Sequence, residues 1–347
     1  MDVNDNRAAF ESSDIVLPAF HHIYVEKELL RSPEAERIIK RFPAAGVIEI
    51  DHYKDIFNRK RQDGSVQRKA RSLILAQKSG RLVYDGAPVC QNFGNKHFYY
   101  TSVMMNCIYD CEYCYLKGMY PSGNMVLFIN LDDIFAAVEE LLGSFPVYLS
   151  VSYDTDLMAV EDITGYIARW IDFTLMHEDL TIEIRTKCAR RDLWDRLPAC
   201  DRVIFAYTLS PDEIAGDYEH GCQGLRERLK ASSEGLDKGY SVRLCFDPMI
   251  YIPGWKKAYA DMIEEAASLV DFDRVRDFSV GSFRISEEYL KRMRRSLPYS
   301  AVVQYPFELS DGYYHYPQAL TDEMEGYLKE RILEHCQGAQ IFRWKES

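Results

Sequence analysis

From residue 98 onward, short apolar runs rich in β-branched and aromatic residues alternate with longer stretches whose apolar positions recur at helical spacing. FYYTSVM (98–104), VYLSVSYD (147–154), LTIEIRTK (180–187), RVIFAYTLS (202–210), SVRLCFDPMI (241–250) and RVRDFSVGSFR (274–284) read as strands. Between and after them, 131–145, 163–175, 190–197, 224–239, 255–270 and 287–297 read as helices. Asn130 caps the first of these, with Asp132 and Asp133 set against its dipole, and Gly239 stops the fourth. Six strand–helix units in series predict an α/β fold with parallel strands and right-handed crossovers. Such sheets gather their chemistry at the carboxyl ends of the strands.

The first 95 residues are less regular. Ser32 and Pro33 open a helix as N-cap and first helical residue, and GVIEI (46–50) alternates like a strand. Residues 1–20 form a polar, acidic lead-in unlike a signal peptide. A Gly/Pro/Asn-rich stretch at 85–95 marks a boundary. The division expected is an N-terminal α/β extension (1–95), a regular α/β unit (96–320), and a C-terminal helix and tail (321–347) ending in a possible edge strand, QIFRW. No apolar run approaches the roughly 20 residues a membrane span needs. The chain therefore reads as soluble and cytoplasmic, with no membrane partner.

Charge alters this picture at one place. The net charge of −12 works against general nucleic-acid binding, yet residues 58–81 hold Arg59, Lys60, Arg61, Arg68, Lys69, Arg71, Lys78 and Arg81 against Asp63 alone. Lys291, Arg292, Arg294 and Arg295 form a second basic run. Either patch can meet phosphates, or simply be a solvated face.

The chemistry lies in the loop after the first of the six strands. There Cys107, Cys111 and Cys114 stand in MMNCIYDCEYCYLKGMY, a C-x3-C-x2-C spacing. Three thiolates on one short loop can grip three corners of a cubane [4Fe–4S] cluster and leave the fourth iron open to chemistry. A zinc site needs a fourth ligand. Cys90 or His97 could supply it, although neither lies in a paired spacing. A bacterial ferredoxin would place a fourth cysteine close behind, and none follows. The other six of the nine cysteines (90, 188, 200, 222, 245 and 336) are scattered, as buried small hydrophobes are.

The cysteine motif resembles that of the radical S-adenosylmethionine superfamily, and that resemblance implies a partial (β/α)6 TIM-like barrel with an N-terminal α/β extension. CEYCYL (111–116) followed by VLFINLDDIFA (126–136), with TK at 186–187, YEHG at 218–221 and PMIYIPGWKKAY at 248–259, resembles the spore photoproduct lyase family. The likeness runs from about residue 22 to about 320. It implies a carbon–carbon lyase acting in DNA repair, in which an open iron binds S-adenosylmethionine. One electron from the cluster then releases a 5′-deoxyadenosyl radical that opens a thymine–thymine adduct. It further implies Tyr113 and Tyr115 as hydrogen-handling residues, and Lys187, Thr208 and Ser210 near S-adenosylmethionine. Damaged DNA and a low-potential electron donor such as a ferredoxin or flavodoxin are the implied partners.

The chain departs from that family at two places. The family's hydrogen-donating cysteine follows the second strand in a segment like ACTSDI; here SVSYDTDL puts Tyr153 at that position. Tyr153 can donate hydrogen from its phenol, and Cys188 or Cys245 can supply a thiol in its place. Near 308–316 the family's substrate-contacting Arg-Tyr pair aligns with Glu308 and Leu309. Three functions follow from these observations: a thymine-adduct lyase with an altered hydrogen-return path, a radical S-adenosylmethionine paralogue with another substrate, and a non-catalytic metal-binding partner protein.

Overall fold

The computed structural model describes residues 19–87 and 90–344. Most of the acidic lead-in lies outside them. Strands Phe98–Tyr100, Val147–Ser150, Leu180–Thr186, Val203–Thr208, Ser241–Met249 and Asp277–Ser282 lie side by side in chain order, all parallel. Ile341–Arg343 adds a parallel strand beyond the last, as its edge-strand pattern implied, and Tyr84–Asp85 runs antiparallel at the opposite edge. The eight strands curl into a half-barrel. Val203–Thr208 and Asp277–Ser282 are buried along their whole length, which explains the near-continuous apolar run VIFAYT in the first of them.

Three local readings change. The helix expected over 163–175 is two helices, Leu157–Thr164 and Tyr166–Met176, broken at Gly165, whose φ of 66° is left-handed. It begins early because the Asp156 side chain caps the backbone N–H of Ala159 at 3.2 Å. Residues 190–197 yield only a tight 3₁₀ turn, Asp192–Asp195. Asn130 does stand at the N-cap of Leu131–Leu142, but its side-chain oxygen accepts from Lys78 N (2.8 Å) instead of from a helix N–H, and its amide donates to the Lys78 carbonyl (2.9 Å) and to the Asp133 carboxylate (2.7 Å).

The largest difference lies in the segment carrying the cysteines. The strand expected over 98–104 divides: Phe98–Tyr100 stays in the barrel, and the chain then crosses to a second sheet through Met104–Met105. That sheet runs in the order Gly46–Ile50, His22–Glu26, Leu73–Ala76, Met125–Phe128, Met104–Met105. Its members at 22–26, 73–76 and 125–128 are additional to the strands expected. One hydrophobic core joins both sheets, with Ile23, Val25 and Leu75 packed into the same cluster as Leu149 and Ile182. The cysteine loop is thus clamped between two sheets.

The basic segment is less exposed than its sequence implied. Arg71 and Lys78 are buried, and Arg68 pairs with Asp110 at 2.9 Å. Arg59, Lys60, Arg61, Lys69 and Arg81 remain on the surface, Arg81 paired with Asp85. In the second run, Lys291 pairs with Glu287 at 2.7 Å, and Arg292 reaches the Gly118 carbonyl at 3.2 Å.

Between neighbouring strands, Arg243 is 1% exposed and holds two acids at once. It forks onto Asp277, pairs with Glu183 and donates to the Tyr148 hydroxyl at 2.6 Å. Tyr148 in turn donates to Glu183 at 2.7 Å. Removing the guanidinium strips two buried carboxylates of their close hydrogen-bonded partner, leaving Glu183 to Arg185 at 3.4 Å and Asp277 to Arg276 at 3.7 Å. Arg243→Met is expected to lower stability by about 3–5 kcal/mol, read as a fall in the urea unfolding midpoint; an unchanged midpoint would show that the acids are neutralised in another way.

Candidate active site

The cysteine loop is fixed through its backbone. Asn106 turns the chain with a left-handed φ of 68° and donates its amide to the carbonyls of Ser122 (2.8 Å) and Asn124 (2.7 Å). The buried Arg71 donates to the Cys107 carbonyl at 2.5 Å and to that of Tyr109 at 3.3 Å. Asp110 and Glu112 donate their N–H groups to the carbonyls of His220 and Tyr218. The loop ends in the short helix Leu116–Met119, against which Glu287–Ser296 packs so closely that a Cβ on Gly118 would lie 2.5 Å from the Tyr289 carbonyl oxygen. All four supports hold the loop without using the three thiols as anchors to another element.

Cys107, Cys111 and Cys114 all line one cavity of about 510 Å³ at the carboxyl end of the half-barrel, and none is in a disulfide. Among the described residues, no three Cys, His, Asp or Glu groups converge as they would on a single ion. A cubane spreads its thiolates over three separate irons, and three soft sulfur donors around one roomy cavity suit that larger group. Of the proposed fourth zinc ligands, His97 is stacked on Phe145 away from this cavity, and the Cys90 sulfur contacts Tyr153. Cys222 does not line the cavity either, but its sulfur lies 3.6 Å from that of Cys111.

The wall beside Cys111 is built on Glu219, which is fully buried. Arg228 forms an ion pair with it, Tyr113 donates its hydroxyl to it, Ser210 donates at 2.9 Å, and the Lys187 ammonium lies 3.9 Å away. Burial opposes its ionisation, but Arg228 and Lys187 outweigh burial and hold its pKa at about 2. Burial likewise works against the Lys187 charge, and the Cys111 sulfur and Glu219 override it, so the pKa is raised. Lys187 is therefore a cation, held over the Tyr113 ring at 5.2 Å and facing the cavity. Thr208 lines the cavity too. Ser210 is not among the lining residues; its hydroxyl serves Glu219 instead.

The opposite wall carries the other tyrosines. Tyr115 donates its hydroxyl to the Tyr153 carbonyl at 2.7 Å, and the two rings lie 6.0 Å apart. Tyr153 stacks on Tyr100 at 4.0 Å. Both Tyr115 and Tyr153 line the cavity, as does Tyr113, whose hydroxyl is already committed to Glu219. Cys188 and Cys245 are completely buried and do not line it. The hairpin of Glu308–Ser310 with Tyr313–His315 turns Glu308 to the surface and sends Tyr313 to the cavity.

The profile of the family described as spore photoproduct lyase matches residues 20–297, most of the chain and every cysteine of the loop. The chain belongs to the spore photoproduct lyase family. Its fold is that of solved spore photoproduct lyases. A cysteine-to-serine variant shares 17% identity and a TM-score of 0.80 over 95% of this chain and 100% of its own. A complex with dinucleoside spore photoproduct shares 18% and 0.79 over 95% and 100%. A further variant with S-adenosylmethionine and the dinucleoside bound shares 18% and 0.79 over 94% and 99%. No curated protein matches the sequence. The family's chemistry uses a [4Fe–4S] cluster and S-adenosylmethionine, and the three cavity-facing thiols suit the cluster.

Several residues that frame the cavity were not singled out in the sequence, and Cys90 was read there only as a possible zinc ligand. Asp156 accepts from Thr186 Oγ1 at 2.8 Å and Lys187 N at 2.7 Å, and so orients the strand end that presents Lys187. Its helix-capping position was its only local signal. Glu219 lies within YEHG, but Arg228 is an ordinary helical arginine by sequence. Cys90 sits in an irregular loop, 63 residues before its partner Tyr153.

Replacing any one of Cys107, Cys111 or Cys114 by Ala is expected to cut bound iron after anoxic reconstitution to a small fraction, with the broad visible absorption of the cluster lost. Cys200→Ala, remote from the cavity, is expected to keep both. Equal iron in all four variants would remove the loop as the cluster site.

Proposed function

We propose that this chain is a radical S-adenosylmethionine lyase that repairs a thymine photoproduct in DNA, with its hydrogen return rebuilt around Tyr153. The observation carrying this is the meeting of three thiols, the cation Lys187 and the pair Tyr115–Tyr153 at one cavity in a chain of this family. The cluster, with S-adenosylmethionine bound, supplies an adenosyl radical. The residues of the chain do the remainder. Lys187 offers a fixed positive charge to the carboxylate of S-adenosylmethionine, and Thr208 offers a hydroxyl beside it. Ser210 acts through Glu219, so it is a positioning residue. Tyr113 holds Glu219 and shelters Lys187 with its ring. Tyr115 and Tyr153 face the cavity with phenols able to pass a hydrogen atom.

Arg59, Lys60, Arg61 and Lys69 remain exposed to meet duplex phosphates. The damaged bases must leave the stack to reach a barrel rim. Among the described residues no helix is long and apolar enough to cross a membrane, and all nine cysteines are unpaired. We place the protein in a reducing cytoplasm, served by a ferredoxin- or flavodoxin-like donor.

The test is anoxic turnover of a dinucleoside spore photoproduct with S-adenosylmethionine and reductant. Thymidine and 5′-deoxyadenosine should both appear. 5′-Deoxyadenosine without thymidine would redirect the radical to another substrate, and neither product would leave a metal-binding partner protein. Lys187→Ala should raise the KM for S-adenosylmethionine about 10- to 100-fold, the loss of one charged hydrogen bond, with iron content unchanged. An unchanged KM would take Lys187 out of the cofactor site.

A further inference from the structure

Tyr153 leaves the position of the family's donor cysteine without a thiol, and the structure brings another thiol to the same wall. Cys90 comes from the loop before the first barrel strand, lines the cavity, and sets its sulfur 3.6 Å from the Tyr153 hydroxyl. Tyr153 is held by stacking on Tyr100 at 4.0 Å and by the Tyr115 hydroxyl on its carbonyl. Tyr115 directly follows the cluster ligand Cys114. The Cys90 thiol and the Tyr153 phenol are therefore an adjacent pair of exchangeable hydrogens at one wall of the cavity, and Tyr115 holds the backbone of that pair in place. Cys188 and Cys245 have no access to it.

We propose that Cys90 is the hydrogen-atom donor to the substrate radical, and that Tyr153 refills it. The proposal rests on the lyase reading above. In the step, the Cys90 S–H bond breaks and a C–H bond forms on the thymine carbon radical, which leaves the unpaired electron on sulfur. Tyr153 then passes its phenolic hydrogen to that sulfur. One electron from the low-potential donor that serves the cluster, and one proton from water, restore the phenol. A hydrogen-atom donor must hold its proton, and the surroundings of Cys90 favour that: burial pushes the thiol pKa up, against a smaller opposing effect of the Tyr153 hydrogen bond.

The experiment compares Cys90→Ala, Cys90→Ser and Tyr153→Phe in the reconstituted full-length protein, with dinucleoside spore photoproduct as substrate. It reads thymidine released per 5′-deoxyadenosine formed, together with bound iron. Both Cys90 variants should keep their iron and still form 5′-deoxyadenosine, while the thymidine ratio falls at least 10-fold. Tyr153→Phe should fall only a few-fold, since the thiol persists. In D₂O the wild type should place deuterium in the released thymidine, and Cys90→Ala should lose that label.

A wild-type ratio in Cys90→Ala, with the deuterium retained, would overturn the proposal. So would a deep loss in Tyr153→Phe alone, which would make the phenol the donor. Iron lost from both Cys90 variants would also overturn it, by making Cys90 a cluster ligand. If the wild type itself forms 5′-deoxyadenosine without thymidine, the lyase reading fails instead, a result distinct from each of these.

Discussion

A carboxylate shut away from water has to be met by opposite charge, and Glu219 is met from two sides. Arg228 lies behind it and Lys187 lies between it and the cavity. The penalty for burying such ions is several kcal/mol each, so the wholly buried Arg228 cannot be lost without a rearrangement. The same carboxylate receives the Tyr113 and Ser210 hydroxyls, and so ties the cysteine loop to the end of the fourth barrel strand and to the helix Leu225–Asp237 that carries Arg228. Within this frame Lys187 is the positive charge that faces the cavity, which Arg185, Arg284, Asp156, Glu183 and Asp247 also line. A cavity with three thiols and a fixed cation held beside Cys111 can receive a zwitterionic sulfonium through its carboxylate end.

The second constraint is mechanical. Crossing from the barrel to the second sheet at Met104–Met105 gives the cysteine loop two rigid anchors, and Arg71 supplies a third by gripping its carbonyls. Arg71 comes from the segment that reads as a cationic surface. Its charge is spent on backbone oxygens inside the protein, and Lys78 lies against the rings of Tyr84 and Phe128. Part of the basic character of 58–81, Arg68, Arg71 and Lys78, is thus spent inside the protein, and the other five residues face solvent.

What the sequence revealed followed from locality. Val/Ile-rich runs such as VIFAYT announce buried parallel strands, and a three-cysteine spacing within eight residues is hard to produce by packing alone. The crossing at residues 101–105 was hidden because FYYTSVM is uniformly strand-like, and only pairing decides which sheet takes each half. Arg228, Arg243 and Asp156 were hidden because a charged residue in a helix or strand reads as solvated unless its partner is known, and their partners lie 9, 60 and 30 positions away. Gly165 was visible as a residue but not as a break, since its left-handed turn depends on how the two helices pack.

The placement of Tyr153 also has a packing logic. A phenol is larger than a thiol, and at the end of the second barrel strand it cannot stand upright in the cavity without company. It lies flat on Tyr100, and its hydroxyl must find a partner within a largely desolvated wall. It meets the Cys90 sulfur at 3.6 Å. A hydroxyl bonded to a weakly accepting sulfur is loosely held compared with the Tyr113 hydroxyl on Glu219, whose proton is tied to a full negative charge. The two tyrosines nearest in chemistry thus differ in freedom: one is locked into the electrostatic frame, and the other is poised beside a thiol with its O–H bond available. That difference in hydrogen-bond partner, set by which loop reaches each ring, separates a residue that holds the site from one able to act in it.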